Sequence, residues 1–235
     1  MSTIVSIEGN IGSGKSTLIQ KLREYNSNGS ILFLDEPVKE WMDIQDEHGE
    51  DILSKFYADQ QTFSFPFQMM AYISRLNKLK KAMKQDKKVI FTERSLTTDK
   101  HVFAKMLYDD GKMNTFEYQI YNKWFDAFNK ETEISHIVYV NTDPQVCHER
   151  IEKRSRKGEN NISQEYLTSC HQYHDEMIRL MKTKNIPVLV LDGNQNVFDE
   201  NTLQSWIYDI NRFTNKTFDT EKATDSDLKF YSDYM

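Results

Sequence analysis

The segment 9–17 constrains the fold of this chain more than any other part, because it matches the phosphate-binding pattern G-x-x-x-x-G-K-[ST] at every fixed position. An apolar run at 4–7 precedes it and apolar residues at helical spacing follow it, which predicts a strand, a loop and a helix. The Lys15 amine can reach the β- and γ-phosphates of a nucleotide, and the Ser16 hydroxyl can hold Mg²⁺. We therefore predict a nucleotide phosphate site formed by Gly9, Asn10, Ile11, Gly12, Ser13, Gly14, Lys15, Ser16 and Thr17.

Length, charge and cysteine content exclude several classes of protein. At 235 residues the chain fits a single domain, 1–235, that is long enough to bury a core. A formal net charge of −6 argues against a basic footprint, so we expect no nucleic-acid partner. Cys147 and Cys170 form neither a disulfide framework nor a zinc pattern, which is typical of a reducing compartment. No apolar run is long enough for a membrane span and the first strand starts almost at Met1, so we expect a cytoplasmic protein without a targeting peptide.

Short apolar runs alternate with helical patterns along the chain. The runs, each expected to be a buried strand, lie at 3–7, 31–34, 89–91, 136–140 and 187–191. This alternation predicts an α/β fold of the P-loop NTPase type, with a five-stranded parallel sheet and helices on both faces. Ligands bind such sheets at the carboxyl ends of the strands, where Glu36, Glu93 and the phosphate loop would meet. Glu36 by itself also fits a surface turn before Pro37, but two carboxylates beside a phosphate loop are typical of phosphoryl transfer.

A long helix predicted over 62–85 carries polar residues on its inward side. Its apolar stripe comprises Tyr72, Leu76, Leu79 and Met83. Gln68 and Arg75 fall on or beside that stripe, and both need polar partners because burying them bare is costly. The partners could belong to the protein or to a ligand, and periodicity does not separate the two. Asp99 lies in the first turn of the next helix, predicted over 97–107, where an acid stabilises the helix dipole in any protein.

A further helix, opened by a possible capping box at Asn114 and Glu117, has one wide aromatic face. That face comprises Phe116, Ile120, Trp124 and Phe128, which recur every four residues. Such a face is more often a core or a dimer contact than a ligand site.

Basic residues late in the chain suggest a mobile element over the phosphates. Arg150, Arg154 and Arg156 precede a polar loop at 157–161. A solvated basic face is the default interpretation, but the position of the run indicates a lid, at about 154–163, that brings arginines to the transferring phosphoryl group. His171 and His174 lie three apart on the next helix, but no partner ligands surround them at metal spacing. The tail at about 215–235 is polar and acidic, and we expect it to be loose until something docks it.

Taken together, these motifs resemble the cellular deoxyribonucleoside kinases, in particular the deoxycytidine, deoxyguanosine and deoxyadenosine kinase group. The segments that carry the likeness are 9–17, 36–41, 65–68, 74–75, 93–95, 99 and 150–156. The resemblance implies transfer of the γ-phosphoryl group of ATP, with Mg²⁺, to the 5′-hydroxyl of a deoxynucleoside in nucleotide salvage. It also implies a homodimer joined through a helical face, for which the aromatic face described above is a candidate.

The resemblance also implies roles for the residues at the strand ends. Glu36 is expected to be the base that takes the 5′-hydroxyl proton, and Arg94 to hold both Glu36 and the 5′-oxygen. With Lys15 these form the expected catalytic set. Glu93 and Ser16 are the expected Mg²⁺ contacts, and the three arginines of the lid are expected to bind ATP.

For the nucleoside, the resemblance implies one pocket. Gln68 would read the base edge, Tyr57 and Glu159 would hold the 3′-hydroxyl, and the Tyr57 ring would crowd a 2′-hydroxyl. The full implied set is Glu36, Trp41, Phe56, Tyr57, Phe67, Gln68, Ala71, Arg75, Arg94, Asp99 and Glu159. The sequence departs from relatives at Pro66, at Phe56 and at Gly158, which leaves the lid with a single acid where some relatives have two.

The base preference follows from hydrogen-bonding roles. An ionised Asp99 only accepts hydrogen bonds, which suits the exocyclic amino group of cytosine or adenine. Thymine presents a carbonyl there, at a cost of roughly 1–3 kcal/mol for the unpaired carboxylate. Guanine also presents a carbonyl, to which Arg75 could donate. We therefore expect deoxyadenosine and deoxycytidine first, deoxyguanosine next and thymidine last.

Two other functions share part of this pattern. A nucleoside monophosphate kinase resembling thymidylate kinase has the loop and the lid, but an acid such as Glu36 is a poor neighbour for a substrate phosphate. A non-catalytic nucleotide-binding relative is the second alternative, because a fold does not guarantee catalysis. The intact Lys15, Ser16, Glu36 and Glu93 argue against it.

Overall fold

The computed structural model describes residues 2–25, 29–129, 132–156, 159 and 162–215. Residue 215 is described by its backbone alone. The strands are β1 (Thr3–Glu8), β2 (Ile31–Leu34), β3 (Val89–Glu93), β4 (His136–Asn141) and β5 (Val188–Asp192). The helices are α1 (Lys15–Tyr25), α2 (Val38–Met42), α3 (Ile52–Ala58), α4 (Gln60–Met83), α5 (Leu96–Thr98), α6 (Lys105–Asp109), α7 (Thr115–Phe128), α8 (Pro144–Arg154), α9 (Gln164–Thr183) and α10 (Glu200–Asn215). A π-helical segment, Asp99–Ala104, joins α5 to α6.

The five strands form one all-parallel sheet in the order β2-β3-β1-β4-β5, which confirms the predicted α/β fold of the P-loop NTPase type. The central strand β1 pairs with β3 on one side and β4 on the other, in a register that sets Ile7 opposite Glu93 and Val138. The phosphate loop follows β1 directly, so it lies beside the carboxyl end of β3. Glu36 follows β2, on the far side of β3.

The outer strands are less buried than the sequence predicted. Every residue of β2 is half-buried, and β5 has only Leu191 fully buried. Both are edge strands, so they lack a neighbour on one side and their apolar runs do not require full burial. The inner strands β1, β3 and β4 have the continuous buried runs expected of a parallel sheet covered on both faces.

The long helix α4 begins two residues earlier than predicted, because Asp59 caps it by accepting a hydrogen bond from the Thr62 backbone N–H at 3.2 Å. Pro66 is the seventh residue of α4, and the helix continues past it. The helix buries the predicted stripe residues Tyr72, Leu76 and Leu79, and also Gln68 and Arg75.

The helix predicted over 97–107 is present as a continuous helical run from Leu96 to Asp109, but its middle part, Asp99–Ala104, is π-helical. Hydrophobic periodicity at 3.6 residues per turn does not distinguish a π-helical turn from an α-helical one. Asp99 opens the π-helical segment with 2% of its surface exposed, so it is not a solvated acid that only stabilises a helix dipole.

The predicted capping box of α7 is present, with Asn114 and Glu117 as its two members. The buried side of the helix is formed by Tyr121 and Phe125, not by the predicted aromatic face. Of that face, Phe116 is 79% exposed, Ile120 45% and Trp124 43%. The core alternative for these three residues is therefore wrong.

The chain divides into two compact units, 1–197 and 198–235. In the second unit, Asp199 accepts a hydrogen bond from the Thr202 backbone N–H at 2.9 Å near the start of α10. The tail prediction falls almost entirely on 216–235, and the lid prediction partly on 157, 158, 160 and 161, all outside the described residues. Among the described helices, none combines the length and the hydropathy needed to cross a bilayer.

Candidate active site

The phosphate loop has the backbone geometry that its glycines make possible. Gly9 has φ +145° and Gly12 has φ +80°, values that L side chains rarely adopt. A Cβ atom at Gly9 would lie 2.6 Å from the Val140 carbonyl oxygen, and one at Gly12 would lie 2.5 Å from that of Cys147. The loop therefore packs directly on β4 and α8, and any side chain at these two positions would displace it.

Lys15 begins α1 and is 4% exposed, with its Nζ donating to the Asn10 carbonyl oxygen at 2.7 Å. Burial lowers the pKa of this amine to about 8, with a further lowering from Arg94. A buried lysine whose acceptor is a neutral backbone carbonyl favours binding of an anion, because the anion would supply the missing negative charge.

Ser16 and Glu93 come together at the point where the loop meets β3. The Ser16 hydroxyl donates to Glu93 Oε1 at 2.7 Å, and the Glu93 side chain is buried. A hydroxyl and a carboxylate side by side are the oxygen ligands that Mg²⁺ accepts beside nucleotide phosphates. The residues present therefore fit the magnesium site predicted for Ser16 and Glu93.

Glu36 lies between two arginines. Its Oε1 accepts from Arg94 Nη1 at 2.7 Å and from Arg75 Nη2 at 3.0 Å. Burial alone would raise the pKa of Glu36, but Arg94, Arg75 and Lys15 together lower it to about 2. The carboxylate is thus ionised at any physiological pH and stays partly exposed, at 14% of its side chain.

Arg94 has two features of a functional residue. Its φ of +59° is in the left-handed region, which costs on the order of 1–3 kcal/mol in residues other than glycine and is found mostly at functional sites. Its side chain is 5% exposed, yet Nε and Nη2 have no hydrogen-bond partner among the described residues. Nη1 donates to Glu36, so two buried nitrogens, Nε and Nη2, remain as donors for a ligand.

Each of the three guanidinium nitrogens of Arg75 donates one hydrogen bond within the protein. Its Nε donates to Asp99 Oδ2 at 3.0 Å, Nη1 to the Glu93 carbonyl at 2.6 Å and Nη2 to Glu36 Oε1 at 3.0 Å. This one guanidinium joins the ends of β2 and β3 to the π-helical segment. Burial raises the pKa of Asp99, and Arg75 opposes that shift.

Gln68 contrasts with Arg75, although both lie on the inward side of α4. It is 2% exposed, and its Oε1 has no hydrogen-bond partner within the described part of the chain. An unpaired buried amide oxygen costs about 1–3 kcal/mol, so its presence favours a ligand that donates to it. Periodicity left open whether Gln68 and Arg75 pair with the protein or with a ligand. The hydrogen bonds favour protein partners for Arg75 and a ligand for Gln68.

The predicted pocket walls form one aromatic cluster. Phe67 stacks on Phe56 with ring centroids 4.6 Å apart and meets Trp41 edge-on at 5.3 Å, and Ala71 packs in the same cluster. Tyr57 adjoins Phe56 at 5.1 Å. Burial raises the pKa of the Tyr57 phenol, and nearby Glu159 raises it further.

Phe103 belongs beside these residues, and the sequence analysis missed it. The Arg94 guanidinium lies over its ring at 5.2 Å, while the His174 ring meets it edge-on at 6.1 Å. Its position four residues after Asp99 would place both on one side of an α-helix, but the segment that holds them is π-helical, so this spacing does not locate Phe103.

The lid arginines divide into two groups. Arg150 lies on the backbone around the phosphate loop, because its Nη1 donates to Gly193 at 2.8 Å and to Ser13 at 3.3 Å. Arg154 and Arg156 instead donate to the two carboxylate oxygens of Glu159, at 2.5 and 3.1 Å. Glu159 was expected at the sugar, and here it is 3% exposed and paired with both arginines.

Comparisons with known proteins give matches to one family. The family model described as deoxynucleoside kinase matches residues 5–229. The chain is 33% identical to deoxycytidine kinase 2 of Gallus gallus over 233 residues, covering 87% of each protein. It is 33% identical to the deoxycytidine kinase of Homo sapiens, covering 83% of this chain and 85% of that protein. It is 30% identical to the mitochondrial deoxyguanosine kinase of Xenopus laevis, covering 84% and 83%.

Proposed function

Because this chain belongs to the deoxynucleoside kinase family and is an ATP-dependent phosphotransferase, we propose that it acts first on deoxyadenosine and deoxycytidine, then deoxyguanosine, and least on thymidine. The observation that carries this preference is the pair of polar groups at the base end of the site. Gln68 has a buried Oε1 with which no described residue pairs, and Asp99 has a carboxylate held in place by Arg75. Together they offer two acceptors and the Gln68 amide donors to one nucleobase edge.

The order of preference rests on Asp99. An amino group of adenine or cytosine would donate to its carboxylate, whereas the thymine carbonyl would meet it lone pair to lone pair. Arg75 uses one hydrogen from each nitrogen within the protein, and two of its five donors remain for a guanine carbonyl. This supports a rank for deoxyguanosine between the amino-bearing bases and thymidine.

We also propose the chemical roles of the strand-end residues. Glu36 accepts the proton of the 5′-hydroxyl. Nε and Nη2 of Arg94, which have no partner in the described part of the chain, hold the attacking oxygen and the transferring phosphoryl group. ATP is bound by 9–17, with Lys15 moving from the Asn10 carbonyl to the phosphates, and by Arg150, Arg154 and Arg156. Mg²⁺ at Ser16 and Glu93 would neutralise phosphate charge as it develops.

The nucleoside pocket completes the assignment. Trp41, Phe56, Phe67 and Ala71 supply its walls, with Tyr57 at the sugar. If Glu159 exchanged its contacts with Arg154 and Arg156 for the 3′-hydroxyl, those arginines would be released for ATP. Sugar binding and lid closure on ATP would then be one event.

An assay of all four deoxynucleosides with Mg·ATP tests the substrate order. An unpaired carboxylate costs about 1–3 kcal/mol, so kcat/KM for thymidine should be roughly 5- to 150-fold below that for deoxyadenosine or deoxycytidine. Thymidylate serves as the control substrate and should not turn over. Best turnover with thymidine would overturn the roles of Gln68 and Asp99, and turnover with thymidylate alone would favour the monophosphate kinase alternative.

The exposed face of α7 supports a homodimer. Phe116, Ile120 and Trp124 are large apolar side chains in contact with solvent, and a second copy of the chain would cover them. Light scattering should give about twice the 27.8 kDa chain mass, and Trp124→Glu should give the monomer, because an interface buries a charge only at high cost. Tyr25→Glu, at an exposed aromatic residue of α1, is the matched control. A monomeric wild type would contradict the proposal.

We propose, as the sequence also predicts, that the protein is cytoplasmic. Cys147 and Cys170 are both buried thiols without a disulfide, in keeping with a cytoplasmic enzyme.

A further inference from the structure

Glu8 is a buried carboxylate to which the roles above assign nothing. It ends the central strand β1 and directly precedes Gly9 of the phosphate loop, with none of its surface exposed. Within the described residues its hydrogen bonds come from three hydroxyl groups. Ser6 Oγ donates to Oε1 at 2.5 Å, Ser95 Oγ to Oε1 at 2.7 Å, and Thr98 Oγ1 to Oε2.

Two of these three hydroxyls flank residues of the proposed site. Ser95 follows Arg94 in the chain, and Thr98 precedes Asp99. The same strand end also holds this segment through the backbone, because the Arg94 N–H donates to the Ile7 carbonyl at 3.0 Å. The segment 94–99 is therefore fixed to β1 at both of its ends.

The carboxylate fixes the direction of each hydroxyl. The hydroxyls of Ser95 and Thr98 both donate to Glu8. The lone pairs of Ser95 Oγ then face the Thr98 backbone N–H, which donates to it at 3.3 Å and caps α5. In a Glu8→Gln variant the side-chain amide would also donate hydrogen bonds, so the directions of the three hydroxyl hydrogen bonds would no longer be fixed.

Burial of a carboxylate among hydroxyls is a costly way to stabilise a fold, so a functional constraint is the better explanation. Arg94 has a left-handed backbone, a conformation that persists only where its surroundings over-determine it. Glu8 supplies that constraint through the next residue, Ser95.

We propose that Glu8 is a positioning residue, which holds Arg94 and Asp99 at a fixed distance from the phosphate loop that begins at Gly9. This inference rests on the roles proposed above for Arg94 and Asp99. Glu8 touches neither nucleotide nor nucleoside. It links the two half-sites, since the loop would carry ATP and the segment 94–99 would carry the 5′-oxygen and the base.

The three hydroxyl partners provide a matched test. Thr98→Val keeps the side-chain shape and removes one contact to the segment 94–99, whereas Ser6→Ala removes a contact to the same carboxylate from within β1. We expect Thr98→Val to lower kcat/KM for the best deoxynucleoside by roughly 10- to 100-fold, the loss expected from a small displacement of reacting groups. Ser6→Ala should change Tm about as much as Thr98→Val does, but should retain wild-type kcat/KM. Thr98→Ser keeps the hydroxyl and should have activity close to wild type.

Nucleoside binding measured by calorimetry gives a second readout that does not need turnover. Its Kd should rise for Thr98→Val and for Glu8→Gln, and stay unchanged for Ser6→Ala. Equal losses in Ser6→Ala and Thr98→Val, or wild-type kcat/KM and Kd in Thr98→Val, would show that Glu8 only stabilises the fold. A wild type that prefers thymidine would revise the substrate order but leave this comparison valid with thymidine as substrate.

Discussion

The Glu36→Gln variant should lose roughly 10²- to 10⁴-fold in kcat and still bind deoxynucleoside with nearly unchanged Kd. The glutamine Oε1 can accept from Arg94 and Arg75 as the carboxylate does, so the pocket keeps its geometry. What the amide cannot do is take a proton from the 5′-hydroxyl. A coupled assay with Mg·ATP gives kcat, and calorimetry with the nucleoside alone gives Kd.

The matched control is Asp35→Asn, at the neighbouring exposed carboxylate, whose partner is Arg23. It removes the same charge one residue away and should leave kcat close to wild type. A Glu36→Gln variant with kcat within a few-fold of wild type would show that another group, or solvent, accepts the proton.

The low pKa of Glu36 also limits how strong a base it can be. At about 2 against a usual 4.5, the carboxylate stays ionised throughout the working range, so its own protonation should not produce an acid limb in kcat above about pH 4. Because the pKa of Glu36 is lowered in the folded state, the ionised carboxylate stabilises the fold above about pH 4.5. This contribution to the free energy of unfolding is lost as the pH falls through about 2. A weak base in a fixed position fits phosphoryl transfer, in which positioning and charge neutralisation carry most of the catalysis.

The sequence located the strand-end residues because a parallel sheet makes their position a matter of topology. Short apolar runs marked the strands, and Glu36 and Glu93 followed two of them, so the fold alone brought both carboxylates to the phosphate loop. The edge strands were less predictable, because an apolar run of four residues looks the same at the centre of a sheet as at its edge.

Hydrogen-bond partners were beyond the sequence for a different reason. Gln68 and Arg75 both lie on the inward side of α4. Only three-dimensional placement shows that the Arg75 guanidinium reaches Asp99, Glu36 and a β3 carbonyl, while the Gln68 amide oxygen has no partner among the residues described. Glu8 lacked any signal, because two of its three hydroxyl partners, Ser95 and Thr98, lie 87 and 90 residues later in the chain. The π-helical segment likewise depends on tertiary packing, so the position of Phe103 could not be derived from α-helical spacing.

Replacing Arg75 by methionine should cause the largest loss of stability of any substitution proposed for this chain. Arg75 is 5% exposed and is the cation that Asp99 contacts, so the variant leaves a buried carboxylate without its partner and weakens the hold on Glu36. Breaking a buried ion pair in this way costs about 3–5 kcal/mol. For a chain of this length that corresponds to a fall in Tm of roughly 6–20 °C, measured by calorimetric or fluorescence unfolding.

Arg23→Met is the matched control, because Arg23 forms an ion pair with Asp35 of similar length, 2.7 Å, on the surface. Solvent screens that pair, so its loss should change Tm little. The double variant Arg75→Met/Asp99→Leu separates stability from function, since removing both charges should restore much of the Tm while the preference for amino-bearing bases is still lost. Equal changes in Tm for Arg75→Met and Arg23→Met would mean that water replaces the guanidinium at Asp99. The conclusion that the Arg75 side chain holds Glu36, Glu93 and Asp99 in place would then be wrong.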